Sequence, residues 1–268
     1  MNSGHRFGVW VFSALLTGTS LLCRTQTLPP VPSPGGELER FLSRAEITSV
    51  DKALQSGRTS AWIVTLSDGT TSRRAFFKSI RRNRPAPMPD SYAYEIAAYE
   101  LDKLLGLELV PVTVERTIEG RRGSLQLFLE GAESERSRLR KNLQPPDPEA
   151  YRDRLDEILV LEHLVCAPRL DLGDIIFRPD DWRPWRVDFS EAFPPSAALL
   201  PECVLERCSR RALTALSSKW DDAAVRERLK AYLNPAELEA LLQRRRLILA
   251  EIKRLVEEKG EEAVLYRP

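Results

Sequence analysis

The 268-residue chain is long enough for one large domain or for two lobes around a cleft. Its 43% hydrophobic content supplies a core, and a net charge of +1 excludes a chain drawn as a whole to nucleic acid or to an anionic membrane. Two histidines and four cysteines, with no CxxC pair and no Cys/His cluster, argue against a structural zinc site.

In chain order, His5 and Arg6 precede an uncharged run, FGVWVFSALLTGTSLLC, that ends at Cys23. It has about the length of a signal-peptide core or a short membrane anchor. Residues 1–23 are therefore expected to engage the membrane or the secretion machinery. The protein is expected to be exported, as a periplasmic, secreted or anchored species. Residues 24–36, with TQTLPPVPSPGG, form a Pro/Gly/Ser linker that can build no core.

The folded part is expected from Glu37. ELERFLSRA suits a short helix and ITSVDKAL a first strand, followed by the turn QSGRTS with Gly57. Residues 62–66 and 74–80 read as two strands joined through Ser67-Asp68-Gly69, a strong hairpin signal, with Lys78 near the end of the second. After the proline-rich, arginine-bearing loop RRNRPAPMPD, Ser91 can cap a helix through Leu105 that Gly106 ends. Glu95 lies on its first turns. VPVTVERTI and SLQLFLE are two more strands. Residues 37–131 thus read as a β-rich lobe with one helix between its third and fourth strands.

Residues 132–268 read as a helical lobe, entered through the polar, proline-bearing stretch 131–148, which is expected to be a linker. A helix is expected over 149–166, with His163 packed in it, and further helices over 205–216, 223–233 and 235–258. Cys203 and Cys208, five apart on an expected helix, are poorly spaced for a disulfide. Asn234-Pro235 starts the last helix, and Arg244-Arg245-Arg246 is read as its solvated face. Between the first two helices of this lobe, residues 164–193 read as strand, turn and strand, with Asp171, Asp174 and Asp188 on the flanking loops. Such acids can face one metal-bound phosphate, or be ordinary turn residues.

A β-rich lobe followed by a helical lobe with a carboxylate hairpin is the layout of a protein-kinase-like α+β fold. Phosphoryl transfer needs a strand lysine for the nucleotide phosphates, a helix glutamate to hold it, and oxygen ligands for the metal across the cleft. Lys78 with Glu95 suits the first pair, and Asp174 with Asp188 suits Mg²⁺.

From Glu46 to Tyr266 the chain resembles bacterial proteins of the phosphoinositide 3-/4-kinase-like branch, related to the secreted atypical kinases of the Golgi pathway. RRAFFKSI matches the strand with that family's ATP lysine, SYAYEIAAYELDKLLGL the helix with its glutamate, and VDFSEAF the segment with its metal-binding aspartate. The resemblance implies an ATP site with Lys78 and Glu95, a hinge near Gln126, Phe128 and Glu130, and Mg²⁺ or Mn²⁺ on Asp174 and Asp188. The catalytic loop departs from the pattern. In CAPRLDLGDII the position of the catalytic aspartate is Arg169, the metal-binding asparagine is Asp174, and Leu170 and Asp171 stand where arginine and histidine are usual. Asp171, displaced by two residues, is the candidate catalytic base.

Two functions follow from these readings. One is an exported atypical kinase that uses ATP and a divalent metal to phosphorylate a protein, lipid or small-molecule hydroxyl. The other is a pseudokinase acting as a nucleotide-binding regulator or scaffold. Nucleic acid is not an expected partner, because the charge is balanced and no aromatic-basic interleaving occurs.

Overall fold

The computed structural model describes residues 1, 34–52, 61–82, 90–167, 171–201 and 204–268. The expected signal or anchor segment after Met1, Gly57, Arg169, Leu170 and Cys203 lie outside the described residues. No helix of the described residues is long and apolar enough to cross a membrane.

Helix α1 (Pro34–Arg44) leads into strands β1 (Glu46–Asp51), β2 (Trp62–Ser67) and β3 (Ser72–Lys78). The β2–β3 turn is shaped by Asp68, whose Oδ1 accepts from Thr70 N at 3.0 Å and from Thr71 N at 2.8 Å. A short pairing of β4 (Arg81–Arg82) with β5 (Asp90–Ser91) then delivers the chain to helix α2 (Tyr92–Leu105). Ser91 caps α2 by accepting from Ala93 N, and Gly106 closes it with φ 66°, the left-handed conformation glycine tolerates. Strands β6 (Thr113–Ile118) and β7 (Arg121–Leu127) complete a five-stranded antiparallel sheet in the order β1-β2-β3-β7-β6.

The alternation of β2 and β3 decides which face of the sheet is core. Trp62, Val64, Leu66, Ala75 and Phe77 point away from the cleft and pack with Leu42 of α1. Arg116 ties α1 to the sheet, donating to Leu42 O at 2.7 Å and Ala45 O at 2.6 Å.

The stretch expected to be a linker is structured. It holds β8 (Glu133–Ser134) and α3 (Glu135–Lys141). Ser134 caps α3, and the buried Glu135 accepts from Arg138 Nε and Tyr151 Oη, each at 2.7 Å. A polar sequence can form an element when its charges find partners in the fold, and those partners leave no periodicity to read.

Helix α4 (Pro148–Val165) is capped by Asp147 and ends at Cys166 in a left-handed conformation. The hairpin β9 (Ile175–Phe177) and β10 (Pro184–Arg186) follows, with β8 on the free edge of β9. Strand β11 (Cys208–Ser209) precedes α5 (Arg210–Leu216), α6 (Asp222–Leu229), α7 (Pro235–Lys259), α8 (Glu261–Val264) and β12 (Leu265–Tyr266). Cys208 is thus a strand residue rather than a helical one. Its partner, β12, is the parallel strand at the end of the chain. Asn234 and Glu237 form a reciprocal capping box that starts α7.

One apolar core joins α2, α4, α5, α6 and α7, with Tyr94, Leu101, Leu161, Leu164, Leu241 and Ile252 among its buried members. Helix α2 is therefore packed into the helical part while its Glu95 faces the cleft. His163 is buried at 2% exposure, as a packed histidine. Arg244 corrects the expectation of a solvated face, since it is fully buried. Its guanidinium donates to Leu164 O at 2.7 Å and Pro194 O at 3.0 Å, and also to Ser196 O.

Candidate nucleotide and metal site

Strands β3 and β7 pair with Phe76 opposite Gln126 and Lys78 opposite Ser124. All four side chains lie on the face opposite the sheet core, so together they roof a cavity of about 360 Å³. Leu127, Phe128 and Leu129 line it on the connection between the sheet and the helical part, and Gly173, Asp174, Ile176, Val187 and Asp188 form its floor. Gly123 allows the close strand approach at this roof, because a Cβ there would run into Lys78 O and the Phe77 ring.

Lys78 Nζ lies 2.6 Å from Glu95 Oε1 and 2.7 Å from Asp188 Oδ1. Glu95 is 2% exposed, and its second oxygen accepts from Phe189 N at 3.0 Å. One glutamate therefore fixes both the strand lysine and the backbone next to Asp188. Burial alone would lower the Lys78 pKa, but the charges of Glu95 and Asp188 outweigh it, and Lys78 stays protonated with its pKa well above the ordinary lysine value. Asp188 sits at φ 67°, a left-handed conformation away from glycine. Burial would raise its carboxyl, yet Lys78 holds it below the usual carboxylate range. Asp174 behaves differently. Burial raises it to about 7, with Arg186 opposing and the Asp188 and Asp171 charges adding to the rise.

Arg186 and Glu162 stand behind the two aspartates, and sequence reasoning missed both. Their ion pair is fully buried. Arg186 Nη1 lies 3.8 Å from Asp174 Oδ2 and donates to Asp188 O at 3.4 Å. The one sequence signal was the position of Arg186 on a short strand two residues before Asp188.

The predicted residues divide. Lys78, Glu95, Gln126, Phe128, Asp174 and Asp188 line one cavity. Gln126 also donates to Thr113 Oγ1 at 3.0 Å, and Phe128 packs against Phe76 with ring centroids 4.9 Å apart. Glu130 is not brought there: it pairs outward with Arg74, accepting from Nε at 2.7 Å. Asp171 does not line the cavity either. Its Oδ1 accepts from Gly173 N at 2.6 Å and is paired with Arg136. The turn this forms leads directly into Asp174.

The donor set fits a nucleotide with a divalent cation. The apolar walls Phe76, Leu127, Ile176 and Val187 suit a flat base, and Lys78 sits at the acidic end. Lys78 and Arg186 face four carboxylates, Glu95, Glu162, Asp174 and Asp188. With all four ionised, the cluster carries two excess negative charges, which a hard divalent cation would neutralise. Asp174 and Asp188 are the two carboxylates of the cavity floor that could reach it, and no cluster of three or more His, Cys, Asp or Glu side chains suited to a metal occurs among the described residues.

No protein-family model matches the chain, and no curated protein matches it. Solved structures do. A Fam20 protein of hydra, solved with sugar, aligns with a TM-score of 0.65 at 16% identity, over 88% of this chain and 94% of that one. The proinflammatory kinase CtkA of Helicobacter pylori aligns with a TM-score of 0.51 at 12% identity, over 82% of this chain and 98% of that one. The chain therefore has the kinase-like α+β fold, an antiparallel sheet with a helical part, that these structures share.

Proposed function

We propose that this is an exported atypical kinase-like protein of the phosphoinositide-kinase-like branch. It binds ATP with Mg²⁺ or Mn²⁺ in the cleft and transfers the terminal phosphoryl group to a hydroxyl of a protein, lipid or small molecule. The observation that carries the reading is the position of Lys78, bonded at once to the buried Glu95 and to Asp188. A nucleotide and metal, when bound, supply the phosphoryl group and the cationic charge that stabilises its transfer. The protein's part is to orient. Lys78 meets the phosphate oxygens, Glu95 holds Lys78, Asp174 and Asp188 hold the metal, and Gln126 and Phe128 border the base. In the transfer the acceptor oxygen bonds to phosphorus, the bond to the bridging oxygen breaks, and ADP leaves with that electron pair. The acceptor proton passes to Asp171 or to solvent.

The second reading is a pseudokinase that binds nucleotide and acts as a regulator or scaffold. It is favoured by the engagement of Asp171 with Arg136 and Gly173 N, which holds the candidate base in a turn. Thermal shift with ATP and Mg²⁺ or Mn²⁺, followed by labelling from γ-labelled ATP in the unsubstituted chain and Asp188→Ala, separates the two. A shift with label lost in Asp188→Ala supports the kinase, a shift without label supports the pseudokinase, and neither shift nor label overturns both.

A further inference from the structure

The Glu162–Arg186 pair is an expensive arrangement for a core. Both side chains are at most 1% exposed, and two ions removed from water are seldom stabilised by their mutual attraction alone. Apolar residues of similar volume would fill the same space. The pair is instead located where a planar, multi-donor cation has several acceptors to join.

Those acceptors belong to both aspartates of the cavity floor. Glu162 comes from α4 and receives Arg186 Nε. Arg186 Nη1 donates to the backbone carbonyl of Asp188 and lies 3.8 Å from Asp174 Oδ2. The backbone of Arg186 is fixed as well, donating to Leu109 O at 2.8 Å, and the next residue, Val187, donates to Asp174 O at 2.9 Å. The guanidinium also sits over the Phe189 ring, 5.0 Å from its centroid. One side chain thus touches the residues on either side of the β9–β10 hairpin that carry the carboxylates, and it braces Asp188 in its left-handed conformation.

We infer that Arg186, anchored by Glu162, is a positioning residue for divalent-cation binding: it sets the spacing of the Asp174 and Asp188 carboxylates. This role rests on the proposed metal-binding reading of the cleft. Lysine cannot replace it, because a single ammonium lacks the planar fork that reaches Glu162, Asp174 and the Asp188 carbonyl together.

The test is Mn²⁺ binding followed by electron paramagnetic resonance on the full chain, with a non-hydrolysable ATP analogue present, and circular dichroism to establish which variants fold. Two variants keep the net charge of the cluster. Arg186→Lys retains the cation, and Glu162→Leu combined with Arg186→Met removes one charge of each sign. A change in affinity in either therefore reports geometry rather than background charge. The expected result is Mn²⁺ affinity weaker by about tenfold in each folded variant. Mn²⁺ bound by the unsubstituted chain and equally tightly by a folded variant overturns the positioning role while leaving the proposed function standing. No Mn²⁺ bound by the unsubstituted chain overturns the proposed function and this role with it.

Discussion

Arg136, on α3, holds the carboxylate of Asp171, and the same oxygen accepts the Gly173 N–H at 2.6 Å. That N–H bond, with Arg136 adding to it against slight burial, keeps the Asp171 carboxyl below the usual carboxylate range. Asp171 is therefore ionised but occupied. Asp171→Asn is expected to leave ATP affinity within about twofold, because the side chain does not line the cavity. Arg136→Gln removes the ion pair and leaves the Gly173 N–H as the remaining hold on the carboxylate. Steady-state turnover in that variant should rise severalfold if Asp171 accepts the acceptor's proton, and should stay at zero in a chain that only binds nucleotide.

Lys78→Met removes the cation between two acids, one of them the buried Glu95. Leaving a buried carboxylate without its partner costs about 3 kcal/mol. The variant should unfold at lower denaturant and bind ATP about tenfold or more weakly by calorimetry. Unchanged nucleotide affinity in a folded Lys78→Met would remove the lysine from the site.

The Asp174 carboxyl should make stability fall as pH rises. Its pKa is about 7 in the folded chain and about 4 in an unfolded one. A group raised on folding contributes stability that is complete below the unfolded pKa and is lost as pH climbs through the folded one. Between about pH 4 and 7 the metal-free chain should lose part of its stability, and Asp174→Asn should flatten that slope. Asp102, raised by burial to about 6, titrates in the same window, so the comparison of variant with parent is the informative one. The proton also competes with a cation at Asp174, and Mn²⁺ affinity should rise with pH through the same interval.

Among the described residues Arg244 is buried without a carboxylate partner, and burial lowers its pKa to about 10. It joins the last turn of α4 to the segment after Phe193 through the carbonyls of Leu164, Pro194 and Ser196. Arg244→Met leaves those carbonyls unsatisfied, and chemical denaturation should show a loss of about 3 kcal/mol.

The parts of this molecule written in local chemistry were legible in the sequence. Ser91 and Gly106 bound α2, the Ser67-Asp68-Gly69 turn marked the hairpin, and together these put Lys78 and Glu95 on neighbouring elements. What depends on distant partners was not legible. Arg186 finds Glu162 across 24 residues, and Cys208 finds Leu265 at the other end of the chain. Arg244 looks like one of three surface arginines until carbonyls from the last turn of α4 and from the segment after Phe193 surround it. The polar stretch with α3 looked like a linker because its order comes from Tyr151 on another helix. Glu130 followed a motif position, but its side chain turned to Arg74.

The most direct measurement is the stability of the unsubstituted chain and of Asp188→Ala with saturating ATP and Mn²⁺. Ligand at about 100 times its Kd adds about 2.7 kcal/mol, which for a chain of this length raises Tm by about 5–10 °C. That rise is expected in the unsubstituted chain, and its loss in Asp188→Ala. No rise in the unsubstituted chain, or an equal rise in both, would contradict a nucleotide and metal site built on Lys78, Glu95 and Asp188.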